Sequence, residues 1–234
     1  TAVPLLFADT VPLLALAVFV SGVALSPTFI TAFGLIERRV PEAMLTGLTI
    51  GAADALYVGL ADLFVPQAQM AALKTLVDTT PGSGLRAALE AFAAPFKGQA
   101  GDSALEANRA GIDKHFGAGS VAAVMTSLAT DDGAFFQKAL GAMRQRSPLM
   151  MCVTHELLAR GAKLDVADCL RMERTLVRHN FEHGEVLEGV RALVIDKDNA
   201  PKWNPASLEE VTAEMVGKFF AEVWPARAHP LRHL

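Results

Sequence analysis

His179 and His183 stand four residues apart with Glu182 and Glu185 beside them. On a helix that spacing places both imidazoles on one face, the arrangement that holds a divalent metal when a third ligand completes it. No third ligand is indicated, and Gly184 is expected to fray the helix. The favoured reading is therefore two solvated histidines at a helix end and no metal site. His155, in Met151-Cys152-Val153-Thr154-His155-Glu156, reads as a polar-face residue rather than a general base. Cys152 and Cys169 lack C-x-x-C spacing and sit among apolar neighbours, which reads as two reduced, buried thiols of a reducing, cytoplasmic compartment. Met143, Met150, Met151 and Met172 read as core filler.

These groups sit in a chain of 234 residues with a formal net charge of −4, enough for one large domain or two small ones. The acidic balance and the absence of any Lys/Arg cluster exclude nucleic acid as a partner, because phosphate binding needs clustered cations. A mean hydropathy of +0.32 is high, and the excess lies in the first 36 residues, where Asp9 is the only charge. As a helix, Val11 to Phe33 would extend about 35 Å and cross a hydrocarbon core of about 30 Å. Ser26-Pro27 would kink it, and Arg38-Arg39 would place its C-terminal end on the cytoplasmic side. The competing reading is a buried core helix. Residues 1–36 do not read as a signal peptide, because there is no basic n-region and no A-x-A site follows the apolar run, and Thr at position 1 leaves open a missing true N-terminus.

After Leu45 the register changes, and nearly everything reads as helix. A short helix from Ala52 to Val58 ends at Gly59, and Ala61 to Val65 reads as a short strand closed by Pro66. Helices follow over Gln67 to Val77 and Leu85 to Phe96, parted by Pro81-Gly82-Ser83-Gly84, with another break at Gly98 to Asp102. Ser120 is expected to cap a helix to Leu128, and Asp131 or Asp132 a second to about Gln145. Ser147-Pro148 starts the next, which ends at Gly161. Asp165 starts another through Val177, Glu185 to Ile195 follows, and Ser207 with Glu210 forms a capping box for a last helix reaching Phe220.

Residues 188–203 read Glu-Gly-Val-Arg-Ala-Leu-Val-Ile-Asp-Lys-Asp-Asn-Ala-Pro-Lys-Trp. They resemble the C-terminal signature of the 3-hydroxyisobutyryl-CoA hydrolases, a branch of the crotonase (enoyl-CoA hydratase/isomerase) superfamily. From Leu45 to about Pro225 the order of features resembles that branch: Leu45 to Pro66, Arg146-Ser147-Pro148, Met172-Glu173, then the signature. Residues 26–41 are instead similar to a stretch of bacterial major facilitator transporters. The resemblances imply two parts: an apolar, transmembrane-like segment over 1–44, and the C-terminal part of a crotonase-like domain over 45–234. The implied fold is mainly α, the helical C-terminal part of an α/β crotonase-like fold preceded by one long apolar helix. The implied activity is hydrolysis of an acyl-CoA thioester, 3-hydroxyisobutyryl-CoA in valine breakdown, with acyl-CoA as substrate and no cofactor. A hydratase or isomerase of the same superfamily is one alternative; a membrane-tethered helical interaction module, held through residues 11–36, is another.

Thioester chemistry needs oxyanion donors at a glycine-rich turn and a positioned carboxylate. The family supplies the latter as a Glu, with an Asp in a Phe-Pro-Asp-x-Gly-Gly run, just upstream of the point matching Leu45. Neither is present, residues 1–44 hold only Gly22 and Gly34, and the surroundings of Glu37 and Glu42 do not match. The catalytic residues are thus unknown, and the chain is expected to be inactive, as a mis-joined or recombined reading frame would be. For the CoA end the resemblance implies Lys197 near the nucleotide phosphates, with Lys202 and Trp203 beside it and the indole placed to stack on adenine. The competing readings are a Lys197 paired with Asp196 and Asp198, solvated Lys202 and Arg191, and a Trp203 that anchors its loop.

Overall fold

The computed structural model describes residues 45–47, 49–183 and 185–233, which form two compact units. The apolar run 11–36, Glu37, Glu42 and the transporter-like stretch 26–41 lie outside the described residues. Among those described, no helix is long and apolar enough to cross a membrane.

The smaller unit is Ile50–Arg109. Its first helix, α1 (Ala52–Tyr57), is organised by Asp54, whose carboxylate accepts hydrogen bonds from the Gly51 N–H at 3.2 Å, the Leu105 N–H at 3.0 Å and the Ser103 hydroxyl at 2.8 Å. Burial alone would raise this carboxyl, but the bonds from Leu105, Ser103 and Gly51 together hold it below its ordinary value. Gly59, with φ of +76°, ends the helix as the sequence suggests. Residues 61–65 form no strand, Asp62 is a bend, and no strand lies alongside them among the described residues. The expected β-strand is thus corrected, since a segment with no neighbouring strand has no ladder in which to share its N–H and C=O groups. After a 3-10 turn at Gln67–Gln69, α2 (Met70–Thr79) packs against α3 (Leu85–Ala93), and a second 3-10 turn at Ala94–Phe96 extends α3 to the expected length. The short α4 (Ala104–Ala107) is capped by Ser103, which accepts from the Glu106 N–H, and packs on α1.

The larger unit, residues 110–233 with 45–47 and 49, holds most of the buried core. It comprises α5 (Arg109–Phe116) from its second residue on, α6 (Val121–Leu128), α7 (Ala134–Met143), α8 (Pro148–Gly161), α9 (Val166–His183), α10 (Glu185–Val190) and α11 (Ala213–Phe219). Ser120 and Ser147 cap α6 and α8 as expected, accepting from Ala123 and Met150 N–H groups. The cap of α7 is Gly133 rather than either aspartate: Asp131 accepts the Gly133 N–H at 2.9 Å, a bond two residues on that turns the chain before the helix begins. Likewise Thr212, not a Ser207/Glu210 box, caps the last helix, and Ser207 only precedes a 3-10 turn at Leu208–Glu210. Helix α9 runs to His183 instead of stopping at Val177. Its Leu176 meets Leu149, Val153, Leu157 and Leu158 of α8 and Phe219 of α11 in one cluster, against which Met150 and Met172 pack. Met143 and Met151 are fully buried, so all four methionines fill core as the sequence suggests.

Candidate functional site

The signature segment folds back on α10. After Val190 the helix widens into one π-turn, Arg191–Ile195. Arg191 thereby faces the loop that follows it. All five guanidinium protons find acceptors: Nε and Nη2 bond Glu188 at 2.9 and 2.7 Å, Nη1 bonds Asp196 at 2.6 Å and Asp198 at 2.7 Å, and Nη2 also reaches the Ala200 carbonyl at 3.1 Å. These bonds hold the Glu188 carboxyl down to about 2, with the Lys202 N–H adding a further bond at 2.6 Å. Asp198 is lowered chiefly by Arg191 as well, and Arg191 is raised in turn by Glu188. Arg191, read from the sequence as a solvated surface cation, is instead the centre of this loop.

That pairing decides the surroundings of Lys197. Asp196 and Asp198 are committed to Arg191, which corrects the reading that they pair with Lys197. Lys197 is exposed, makes no ion pair among the described residues, and sits at φ of +56°, in the left-handed region, as does Asn199 at +52°. The Asn199 N–H closes the turn on the Ala192 carbonyl at 3.1 Å. Lys202 is exposed; only its backbone is fixed.

Trp203 is half-buried. Its indole N–H donates to the Gln145 carbonyl at 3.1 Å, and its ring lies over Gly189, where an added Cβ would come within 3.4 Å of Cη2. The ring thus anchors the end of the signature loop to the turn after α7. Glu185, buried at the start of α10, completes the attachment: it accepts the hydroxyl proton of Ser147 and the Asn204 N–H, so one carboxyl joins the cap of α8, α10 and the cis Asn204-Pro205 bond. Burial raises this carboxyl against the opposing effect of those two donors. Arg146 reaches the Thr46 carbonyl at 2.9 Å, tying the Arg146-Ser147-Pro148 motif to the beginning of the described chain.

The other chemistry-bearing residues sort by environment. His179 and His183 do share a face of α9, but they stack on each other at 5.7 Å and against Phe219. His179 Nε2 bonds the Ala221 carbonyl at 2.9 Å, so it is a packed residue rather than the solvated one expected, and no metal-holding cluster occurs among the described residues. His155 and Cys152 line a cavity of about 290 Å³. Both cysteines are half-buried rather than fully buried thiols, and burial raises that of Cys152, which lowers its reactivity. Ser127, His115 and Asp131 have the residue types of a hydrolytic triad, at 2.7 and 3.0 Å from the two nitrogens of a fully buried imidazole. Ser127 nevertheless lies on the last turn of α6, where the helix's carbonyl end repels an oxyanion. The trio instead fastens α5 to the α6–α7 turn. Glu173 is 4% exposed, its Oε2 has no hydrogen-bond partner, and burial raises it to about 7. Sequence reasoning found Glu173 only as part of a motif, and neither Glu185 nor Glu188 as functional, because carboxylates in a mixed-charge chain read as surface.

Comparison with known proteins fits this geometry. The family described as enoyl-CoA hydratase/isomerase matches residues 43–220. The mitochondrial 3-hydroxyisobutyryl-CoA hydrolase of Danio rerio is 31% identical over 76% of this chain and 48% of its own, and that of Gallus gallus 32% identical over 75% and 47%. A crystal structure of a carnitinyl-CoA dehydratase from Mycobacterium thermoresistibile aligns with a TM-score of 0.72 at 32% identity, over 82% of this chain and 55% of that one. The chain spans about half the length of the curated relatives it matches. With the signature loop, the Arg146-Ser147-Pro148 tie and the helical core all falling inside the matched region, the chain belongs to the enoyl-CoA hydratase/isomerase family.

Proposed function

We propose that this chain supplies the nucleotide-facing helical part of an acyl-CoA thioester enzyme, with Lys197 as the cation that approaches the CoA phosphates. The observation that carries the reading is the engagement of Asp196 and Asp198 by Arg191, which leaves the Lys197 ammonium unpaired on a fixed turn. A compact charge on a flexible stem suits phosphate. Lys202 adds a second exposed cation. Trp203 supports the loop through its indole N–H to Gln145 and its ring edge on Gly189, and as a half-exposed ring it keeps surface on which adenine could stack.

The finer reading is hydrolysis of a 3-hydroxyacyl-CoA, 3-hydroxyisobutyryl-CoA in valine breakdown. It rests on the signature from Glu188 to Trp203 and on the names of the hydrolase relatives. Hydration or isomerisation of an enoyl-CoA is the alternative, supported by the dehydratase resemblance. By itself the chain is expected to be inactive, since no glycine-rich oxyanion turn or matching Glu occurs in its sequence. Residues 1–44 fit a transporter-like segment joined at Leu45-Thr46, and genomic reads crossing codons 40–50 test that junction.

Calorimetry with CoA and 3′-dephospho-CoA tests the site. Tighter binding of CoA, weakened by Lys197→Ala more than by Lys202→Ala, is the expected result. Equal binding of the two ligands, or indifference to Lys197→Ala, would return Lys197 to the role of a solvated cation.

A further inference from the structure

Helix α10 and the π-turn that continues it are apolar on two sides. On the inner side Val186 and Ala192 are buried, and Gly189 lies against the Trp203 ring. The outer side is Leu187, Val190, Val194 and Ile195, at the i, i+3, i+7 and i+8 spacing of one helical stripe. Leu187 is 56% exposed, Val194 41% and Ile195 69%. Arg191 borders the stripe but is turned into the loop by Glu188, Asp196 and Asp198. Single apolar side chains on a surface are ordinary, whereas a helix apolar on both sides is one that is covered on both.

Two observations identify the cover. The stripe lies inside the matched residues 43–220, yet the chain spans about half the length of the curated relatives it matches. A full-length relative thus carries about as much chain again, against which such a stripe can be buried. The second observation is where that further chain would join. The match begins at residue 43, and the described chain enters there with Leu45 and Thr46 both buried. Arg146 holds the Thr46 carbonyl, and its neighbour Gln145 holds the indole of Trp203, whose ring lies on Gly189 of α10. The junction is therefore only a few side chains from the helix that carries the stripe.

We propose that Leu187, Val190, Val194 and Ile195 form the docking surface for the half of an enoyl-CoA hydratase/isomerase domain that this chain does not match. The proposal rests on the reading of the chain as one part of an acyl-CoA enzyme and names the surface that receives the other part. The partner face is apolar, since a charge buried against the stripe would find no counter-charge in it. Docking also bears on the signature loop. The helix that carries the stripe carries Arg191, and Arg191 fixes the turn on which Lys197 stands.

Co-expression tests the surface. The full chain is produced together with a tagged polypeptide, the part of the Gallus gallus 3-hydroxyisobutyryl-CoA hydrolase outside the match, and separately with the corresponding part of the Mycobacterium thermoresistibile carnitinyl-CoA dehydratase. At least one of the two should retain the chain as a one-to-one complex in sedimentation. Leu187→Glu and Ile195→Glu each place a charge in the stripe and should reduce retention about tenfold, the scale of one apolar side chain left unburied. Val166→Glu charges an exposed apolar residue at the start of α9 and should change nothing. The stripe variants should leave the thermal melt of the chain alone unchanged, because their side chains are open to water in it. Retention by neither polypeptide, or equal retention of the stripe variants, overturns the proposal. So does a melt lowered by the stripe variants, which assigns the cover to the chain's own residues, or a self-association that they abolish, which assigns it to a second copy. Calorimetry with CoA reads the phosphate site separately, so failure of either reading is seen without the other.

Discussion

Glu188 and Arg191, one helical turn apart, face each other through two near-parallel hydrogen bonds of 2.7 and 2.9 Å, and the same guanidinium closes the loop by taking Asp196 and Asp198 on its other side. A planar fork can do this because its donors are fixed in direction, whereas an ammonium would have to choose among the three carboxylates. Arg191→Lys should therefore fail to rescue Arg191→Ala. Both variants should lower Tm and speed proteolytic cleavage between residues 191 and 203, with the core melt otherwise cooperative. Equal protection of the Lys variant and the native chain would show that charge alone holds the loop.

The Ser147–Glu185 pair gives a second test. Ser147 caps α8 with its oxygen and gives its proton to Glu185, so Ser147→Ala removes a helix cap and strips a donor from a buried carboxyl. The cap alone is worth about 1 kcal/mol, and the abandoned acceptor about as much again or more. Urea denaturation of Ser147→Ala, Glu185→Gln and the double variant should give a coupling energy above roughly 0.5 kcal/mol. Strict additivity would mean the two side chains act separately.

Much of this architecture is legible in the sequence. Ser120, Ser147-Pro148 and Gly59 mark boundaries because a cap or a left-handed glycine acts within a few residues. The apolar spacing of α8 and α9 shows the core. What the sequence hides is long-range or competitive. Asp131 looks like a helix cap, but its carboxylate is taken by Gly133 and by His115, 16 residues away. Asp196 and Asp198 flank Lys197, yet Arg191 outbids it by geometry, as Thr212 does Ser207. The 61–65 segment reads as a strand from composition, and only a neighbouring strand could make it one. Lys197 as a candidate phosphate contact came from family resemblance, since an exposed lysine has no local signal of its own.

A glycine supplies a sharper local prediction. Gly111 lies inside α5, where alanine would ordinarily stabilise by about 1 kcal/mol. A Cβ there would stand 2.2 Å from Cζ of Phe136, whose ring also packs on His115 at 4.9 Å. Gly111→Ala should destabilise by about 1–3 kcal/mol as the ring is displaced, and Gly111→Ala with Phe136→Leu should recover part of the loss. Stabilisation by the single variant in thermal melts would mean the ring moves freely.

Glu173 makes the stability of this chain depend on pH. The carboxyl is raised from 4.5 to about 7 by burial, so between those values the folded state holds a proton that the unfolded state has released. Unfolding then releases protons, and stability falls as pH rises through that window, levelling off above pH of about 7 where both states are ionised. The whole span amounts to at most about 3 kcal/mol. This runs opposite to a salt-bridged acid such as Glu188, whose depressed value contributes stability that is lost only on acidification towards about 2. Glu173→Gln keeps the shape and removes the charge. It should leave stability at pH 5 nearly unchanged, raise it at pH 8, and flatten the slope between them in urea titrations. A Gln variant with the same slope as the native chain would mean that the carboxyl finds a partner on ionisation.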